Sequence, residues 1–473
     1  MSKNQTAFQE RVDKSLNDDF LRKALVAAQE KLRNGKKEQS EILGNWENWR
    51  KRAEQIRQHT IENLDSYLEQ FALNAEKQGA KVFFATDKTE AVEYIKSLAI
   101  QKKAKSIVKS KSMVSEEIHL NQALESAGIE VVETDLGEYI IQLAKETPSH
   151  IIVPAIHKTK EQVAELFSKV AGEELPADPQ ELAKFARKVL REKFLQADIG
   201  VSGANFAVAE SGSIVLFSNE GNARLTTTLP KTHVVTMGME RIVPNWEALD
   251  SLLSLLPRSA TGQKITSYVT GVTGPKRVGD VDGPEEMHIV IIDNGRSKIL
   301  GTEYQDILHC IRCGACLNHC PVYRHIGGHA YGSVYPGPIG SVLTPLLNGL
   351  DEWKELPYAS SLCGACSETC PVGIPLDNYL VKLRRDVVET GRASKLEKMA
   401  FQAFGFATGN PSFYKLGVNM ADSALKPFAK GERYLVKAPF ALKNWTKAKD
   451  LPMPPKLSFR QWWAKEGEKQ DGR

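Results

Sequence analysis

Apolar side chains recur every four positions at the start of the chain. Phe8, Val12, Leu16, Phe20 and Ala24 stripe one helix face, and Trp46, Trp49, Ile56, Leu64, Leu68 and Phe71 stripe another. Gly79 offers a stop. The spacing predicts a helical leader over residues 1–75.

From Lys81 the rhythm changes. KVFFA (81–85) precedes Asp87 and Glu90, which have the spacing of a capping box that opens a helix. Short apolar runs follow at SIVKS (106–110), EVVET (130–134) and HIIVPA (150–155), each separated by a helical stretch. Such alternation predicts a mostly parallel sheet with helices on both faces. GANFAVAES, GSIVLFS, HVVTMG and HIVIID then add strands between Gly and Asn turns. An α/β domain is expected over 76–298, and a cysteine-bearing unit with helical flanks over 299–392. An extended basic tail with prolines and aromatics is expected over 393–473. Between Lys426 and Lys465 it has ten Lys/Arg against Glu432 and Asp450.

At 473 residues the chain should divide into two or three domains. Its 42% apolar and 25% charged residues can build an ordinary core, so cysteine is not needed as a staple. A net charge of +4 makes no demand for nucleic acid or lipid. Arg50, Lys51 and Arg52 read as the solvated flank of a packed helix. The basic tail lacks a nucleic-acid-binding fold beside it. MSKNQTAFQERVDKSLNDD has no apolar core of a secretory signal, and no window approaches the run of about 18 apolar residues that a membrane helix needs. A reducing cytoplasm is therefore expected, with any membrane contact peripheral.

All seven cysteines lie between Cys310 and Cys370. An odd, clustered set argues for metal rather than disulfides. Cys310-Ile-Arg-Cys313-Gly-Ala-Cys316-Leu-Asn-His-Cys320-Pro321 has the C-x₂-C-x₂-C-x₃-C-P spacing of a bacterial iron–sulfur run, whose fourth cysteine serves the other cluster. Aligning the Cys-Pro of the second run, Cys363-Gly-Ala-Cys366-Ser-Glu-Thr-Cys370-Pro371, leaves Ser360 where a first cysteine belongs. Crossed ligation gives one cluster on Cys310, Cys313, Cys316 and Cys370, and a second on Cys320, Cys363 and Cys366. Three readings of the open corner compete: Ser360 as ligand, water as ligand, or a [3Fe-4S] cluster. Two zinc sites would need His309, His319 or His325 to complete them, and would not explain the third cysteine of each run. His309, His319 and Arg312 adjoin the ligands. Tuning of the cluster is one reading of them, and solvent-facing loop residues the plainer one.

Other loops are weak signals. Gly271-Val-Thr-Gly274-Pro275-Lys276-Arg277 lacks the phosphate-loop spacing and reads as a surface turn. Gly200-Val-Ser-Gly203 is no stronger, and Glu210, at a strand end, has no identified partner. No GxGxxG follows a strand, so Rossmann binding of NAD or FAD is not expected.

GANFAVAESGSIVLFSNEGNARLTTTLPKTHVVTMGMERIVP (203–244) resembles the lactate-utilisation domain of bacterial lactate operons. CIRCGACLNHCPVYRHIGGHAYGSVYPGPIGSVLTPLL (310–347) and LPYASSLCGACSETCPVGIP (356–375) are similar to the ferredoxin half of the lactate utilization protein B family. The resemblance covers nearly the whole chain and includes the serine at 360. It implies an α/β domain of the CoA-transferase and phosphosugar-isomerase type and an α-helical ferredoxin module with two [4Fe-4S] clusters on the cysteines above. It implies work in the oxidation of L-lactate to pyruvate, beside a cysteine-rich protein and a second lactate-utilisation-domain protein. No catalytic residue comes with it. The leading expectation is an electron-transfer subunit. The alternative is that the α/β domain oxidises the substrate and uses the clusters as its internal electron sink.

Overall fold

A capping side chain sets the first break in the leader. Helix α1 (Lys3–Leu16) ends before Asp18, whose carboxylate accepts the amide of Leu21 and opens α2 (Asp19–Leu43). The stripe expected from Phe8 to Ala24 is therefore divided between two helices. Phe8 and Val12 pack inward from α1, Leu21 and Leu25 from α2, while Leu16 and Phe20 are exposed. Asn63 separates α3 (Trp46–Glu62) from α4 (Leu64–Lys77), its side-chain amide donating back to His59 O at 2.8 Å. The computed structural model describes residues 3–428, 434–436, 446 and 449–467.

Strands and helices then alternate as β1 (Lys81–Ala85), α5 (Lys88–Gln101), β2 (Ser106–Lys109), α6 (Met113–Glu117), α7 (Leu120–Glu125), β3 (Glu130–Glu133), α8 (Leu136–Ala144), α9 (Lys160–Ala171), α10 (Pro179–Gln196) and β4 (Ile199–Gly203). After them come β5 (Phe206–Val208), β6 (Ser213–Ser218), α11 (Asn222–Thr228), β7 (Thr232–Gly238), β8 (Ile242–Val243), α12 (Trp246–Thr261), β9 (Tyr268–Val272) and β10 (Glu286–Ile292). Among the described residues a six-stranded sheet runs in the order β1-β10-β7-β4-β2-β3, every neighbour parallel. Its central strand β7 is buried throughout, as helices on both faces require. A second sheet, β8-β5-β6-β9, mixes parallel and antiparallel pairs. In the large sheet the chain proceeds outward from β2 to β3 and returns to β4. The ends of β2 and β4 thus flank a switch point, where open α/β sheets bind ligands.

The strand expected at HIIVPA (150–155) is absent. His150 Nδ1 accepts the amides of Ile152 (2.9 Å) and Val153 (3.2 Å), so a side chain occupies the N–H groups that a strand would give to a neighbour. Both bonds leave the proton on Nε2, which donates to Asn318 Oδ1 at 3.0 Å. Burial holds this imidazole neutral, with its pKa near 4. The segment instead ties the sheet to the cysteine region: Ser149 O accepts Tyr323 Oη (2.7 Å), and a Cβ on Gly328 would lie 1.8 Å from that same oxygen.

Helices α13 (Ala315–His319), α14 (Pro321–Ile326), α15 (Gly337–Asn348), α16 (Leu350–Trp353), α17 (Ala365–Glu368) and α18 (Leu376–Glu389) frame the cysteines. One apolar core joins them to the leader and the α/β part within the compact unit Met1–Val387. The remaining unit, Val388–Arg473, begins with α19 (Lys395–Gly409) and α20 (Pro411–Leu425) rather than with the extended chain expected there. Pro411 falls at the start of α20, where a missing N–H costs nothing, and Pro427, Pro452, Pro454 and Pro455 all lie beyond that helix. Glu432 and Pro439 lie outside the described residues. Among the described residues no helix is long and apolar enough to cross a membrane.

Candidate functional site

The two cysteine runs curl alike. In the first, Arg312 (φ 58°) and Gly314 (φ 73°) are left-handed; in the second, Leu362 (φ 55°) and Gly364 (φ 78°) are. Such angles are unfavourable for Arg and Leu, and they wind the loop tightly enough to turn its thiols to one side. Cys310, Cys313 and Cys316 thereby line one cavity, and Cys370 joins them from the second run. Ile151, Ile311, Ile339, Val372, Ile374 and Leu376 wall it with carbon. Cys320 is drawn to the other run, close enough to Cys363 and Cys366 for their charges to interact. Cys363 is exposed, whereas Cys320 and Cys366 are buried.

These donors suit an iron–sulfur core. Among the described residues no three His, Cys, Asp or Glu side chains converge on the position of a single ion, and the thiols instead ring a space. Backbone amides point at the sulfurs, with Arg312 N to Cys310, Tyr323 N to Cys320 and Ile374 N to Cys370 all at 3.4 Å. Hydrogen bonds of this kind tune cluster potentials. Tyr331 is fully buried with its hydroxyl unpartnered among the described residues, and its surroundings include Cys316, Cys320 and Cys366. An acceptor such as cluster sulfur would satisfy it. Burial pushes the Cys313 and Cys366 thiols up to about 12 and raises Cys316, Cys320 and Cys370. Metal coordination supplies the positive charge that buried thiolates need. Ser360 Oγ, in the first position of the second run, accepts the amide of Leu362 at 3.1 Å.

Cations surround the first set. Lys36 Nζ donates to Thr369 O and Oγ1, both at 2.5 Å, and Arg50 donates to Cys370 O (2.7 Å) and Ser367 O (2.9 Å). The solvated-flank reading of Arg50 is thus corrected, because backbone carbonyls of the cysteine loop hold its guanidinium. Lys51 and Arg52 do stay exposed. Buried Arg57 donates to Ile242 O (2.7 Å), Leu308 O (3.0 Å), His309 O (3.3 Å) and Glu240 O. Arg241 reaches Cys310 O at 3.4 Å. His309 is buried and His319 partly so, which corrects the solvent-facing reading. Burial first, and Arg57 second, holds His309 near 3, while His319 lies near 4 and bonds Ala315 O at 3.0 Å.

Glu240 organises the arginines. Burial alone would raise its carboxyl, but Arg296, Arg241 and Arg312 hold it near 2. Arg296 Nε lies 2.7 Å from it, and the rest of that guanidinium is taken by Glu117 at 2.8 Å. Arg312 Nη2 reaches Glu240 at 3.3 Å, and its guanidinium lies over the Tyr335 ring at 4.6 Å.

A crevice of about 480 Å³ opens at the switch point. Its lining comes from the segments after β2 (Ser110–Val114), β3 (Asp135–Gly137) and β4 (Gly203–Asn205), with Glu220, Arg241 and Arg312. Arg312 and Ile151 also line the cysteine cavity. The surrounding protein, with Asp135 second, pushes Glu220 up to about 7. No motif along the chain marks Lys111, Glu220 or Arg241. A polar SNEGN turn after a strand was the one local signal, and the rest needs the switch point. Glu210 has a structural role instead, accepting the amide of Trp246 at 3.3 Å. Arg277 bonds Gln78 at 2.8 Å and Lys276 lies 3.7 Å from Glu285, as a surface turn would place them.

Three family models match the chain: a LUD domain over residues 68–292, a 4Fe-4S dicluster domain over 306–374, and the C-terminal part of lactate utilisation protein B over 384–468. Lactate utilization protein B of Shouchella clausii is 56% identical over 457 residues, 96% of each chain. That of Geobacillus sp. is 57% identical over 98% of each chain, and that of Bacillus subtilis 55% identical over 97% of this chain and 96% of its own. Full-length agreement of this kind, together with the parallel α/β sheet and the two curled cysteine loops, means that the chain belongs to the lactate utilization protein B family.

Proposed function

We propose that this chain is an electron-transfer component in the oxidation of L-lactate to pyruvate, holding two [4Fe-4S] clusters. Cys310, Cys313, Cys316 and Cys370 hold one. Cys320, Cys363 and Cys366 hold the other, with Ser360 at its fourth corner. The observation that carries the reading is the crosswise gathering of Cys370 with the first run and Cys320 with the second, in a chain whose relatives are named for lactate utilization.

Each bound cluster takes up and releases one electron, whereas a 2-hydroxy acid gives up two, so a pair of clusters suits the task. The chain's own residues do the rest. Lys36, Arg50, Arg57, Arg241 and Arg312 offset the thiolate charge of the first site, and the isoleucine wall keeps water from it. Exposed Cys363 favours electron exchange with a partner at the second site. The partners in this reading are a cysteine-rich protein and a second LUD-domain protein, in the cytoplasm. The α/β part is of the CoA-transferase and phosphosugar-isomerase type, the cysteine module is a helical ferredoxin, and domain divisions fall near 75, 298 and 392.

A second reading, in which the α/β part oxidises the acid itself, draws support from the Arg312 and Ile151 walls shared by crevice and cysteine cavity. Anaerobic purification, iron and sulfide counting and low-temperature EPR test the common ground, with about eight of each per chain expected. Adding L-lactate and an artificial acceptor separates the two. Bleaching only after the partners are added supports the carrier, and turnover by the lone chain supports the second reading. A colourless, zinc-containing protein would sink both.

A further inference from the structure

The crevice at the ends of β2, β3 and β4 has no task in electron transfer as such. Its volume of about 480 Å³ is that of a metabolite pocket. Lys111, Arg241 and Arg312 line it, against Asp135 and Glu220. Among the described residues, Arg312 Nε and Lys111 Nζ are buried with no hydrogen-bond partner, and the counter-charge beside Lys111, Glu138, lies 3.5 Å away. Glu240 and Glu117 together face three guanidinium groups, Arg241, Arg312 and Arg296, so guanidinium exceeds carboxylate at this end by one. Buried donors without acceptors are costly, and an anion would satisfy them. Ile151 and Phe217 on the same lining favour carbon, which an inorganic anion lacks.

We infer that this crevice binds a small organic acid, its carboxylate held by Arg241 and Arg312 and its hydroxyl or oxo group by Glu220. Arg312 belongs to the cysteine cavity as well, so the acid lies one side chain away from Cys310, Cys313, Cys316 and Cys370. Glu220 lies on the lining beside Asp135, and a carboxyl pushed up as this one is donates to an oxo group when protonated and accepts from a hydroxyl when ionised. The choice of a 2-hydroxy acid rests on the electron-carrier reading; the existence of the site does not.

Equilibrium dialysis of the full, iron-loaded chain against labelled L-lactate, without partners or acceptor, tests this. One saturable site is expected, displaced by pyruvate and not by inorganic phosphate. Arg241→Gln should weaken binding about tenfold or more. Because Arg241 also touches the Cys310 loop, iron is counted in each variant. Glu220→Gln, placed on the α/β side, should alter the ratio of lactate to pyruvate affinity with iron content intact. No saturable binding, equal displacement by phosphate, or unchanged affinities in both variants would overturn the inference. Clusters that accept electrons from the partners in a chain that binds no lactate would leave the carrier reading standing and remove this one. Lactate binding by a chain that assembles no cluster would do the reverse.

Discussion

Ser360 is the structural counterpart of Cys310. Its Oγ accepts the amide two residues on, from Leu362 at 3.1 Å, as Cys310 Sγ accepts that of Arg312 at 3.4 Å. Leu362 and Arg312 then share left-handed angles of 55° and 58°. The second loop thus has an oxygen at the position where the first has a sulfur.

Ser360→Cys should therefore strengthen the second site. Thiolate replaces a more labile ligand, and iron loss in air, followed by absorbance and by iron assay, should slow several-fold. Unchanged loss would mean that residue 360 does not face the open corner.

Removing a cation near the first set should lower its potential. Lys36 is buried, and its charge acts on Cys313, Cys370 and Cys316. Lys36→Met should shift the midpoint of one cluster downward by on the order of 50 mV in an EPR-monitored titration. Lys51→Met, on the exposed side of α3, is the control and should shift neither cluster.

Tyr331→Phe removes the unpartnered hydroxyl near both sets. If that hydroxyl donates to cluster sulfur, the variant keeps its iron but shows a lower potential, by on the order of 30 mV, and an altered EPR line shape. Identical spectra and potentials would assign the hydroxyl no contact with the clusters.

Glu138 gives a pH test of stability. Burial pushes its carboxyl up to about 7, with Lys111 pulling the other way. A raised carboxyl pKa favours the folded state while the group is protonated. The stability cost is absent below the unfolded value of 4.5, grows as pH rises towards 7, and is complete above it. Glu138→Gln should stabilise the chain by about 1–3 kcal/mol at pH 8 and hardly at all at pH 5, measured by denaturant unfolding. A gain of equal size at both values would remove burial of the charge as its cause.

Periodicity and spacing are local properties, and the sequence determined what depends on them. KVFFA, SIVKS and EVVET alternate with helical stretches, and this sufficed for a parallel sheet. Aligning the two Cys-Pro endings sufficed to set Ser360 against Cys310, and the two share the same amide contact. Tertiary structure decided what depends on distant partners. HIIVPA has the composition of a strand, but the His150 imidazole takes its amides, and Asn318 holds that imidazole. Arg50 reads as a surface charge until carbonyls of the second cysteine loop are found around it. Lys111, Glu220, Arg241 and Arg312 come from four separate segments and meet only because the strand order reverses between β2 and β4. Whether a charge is solvated, paired or left awaiting a ligand is set by what the fold packs against it, and no pattern along the chain records that.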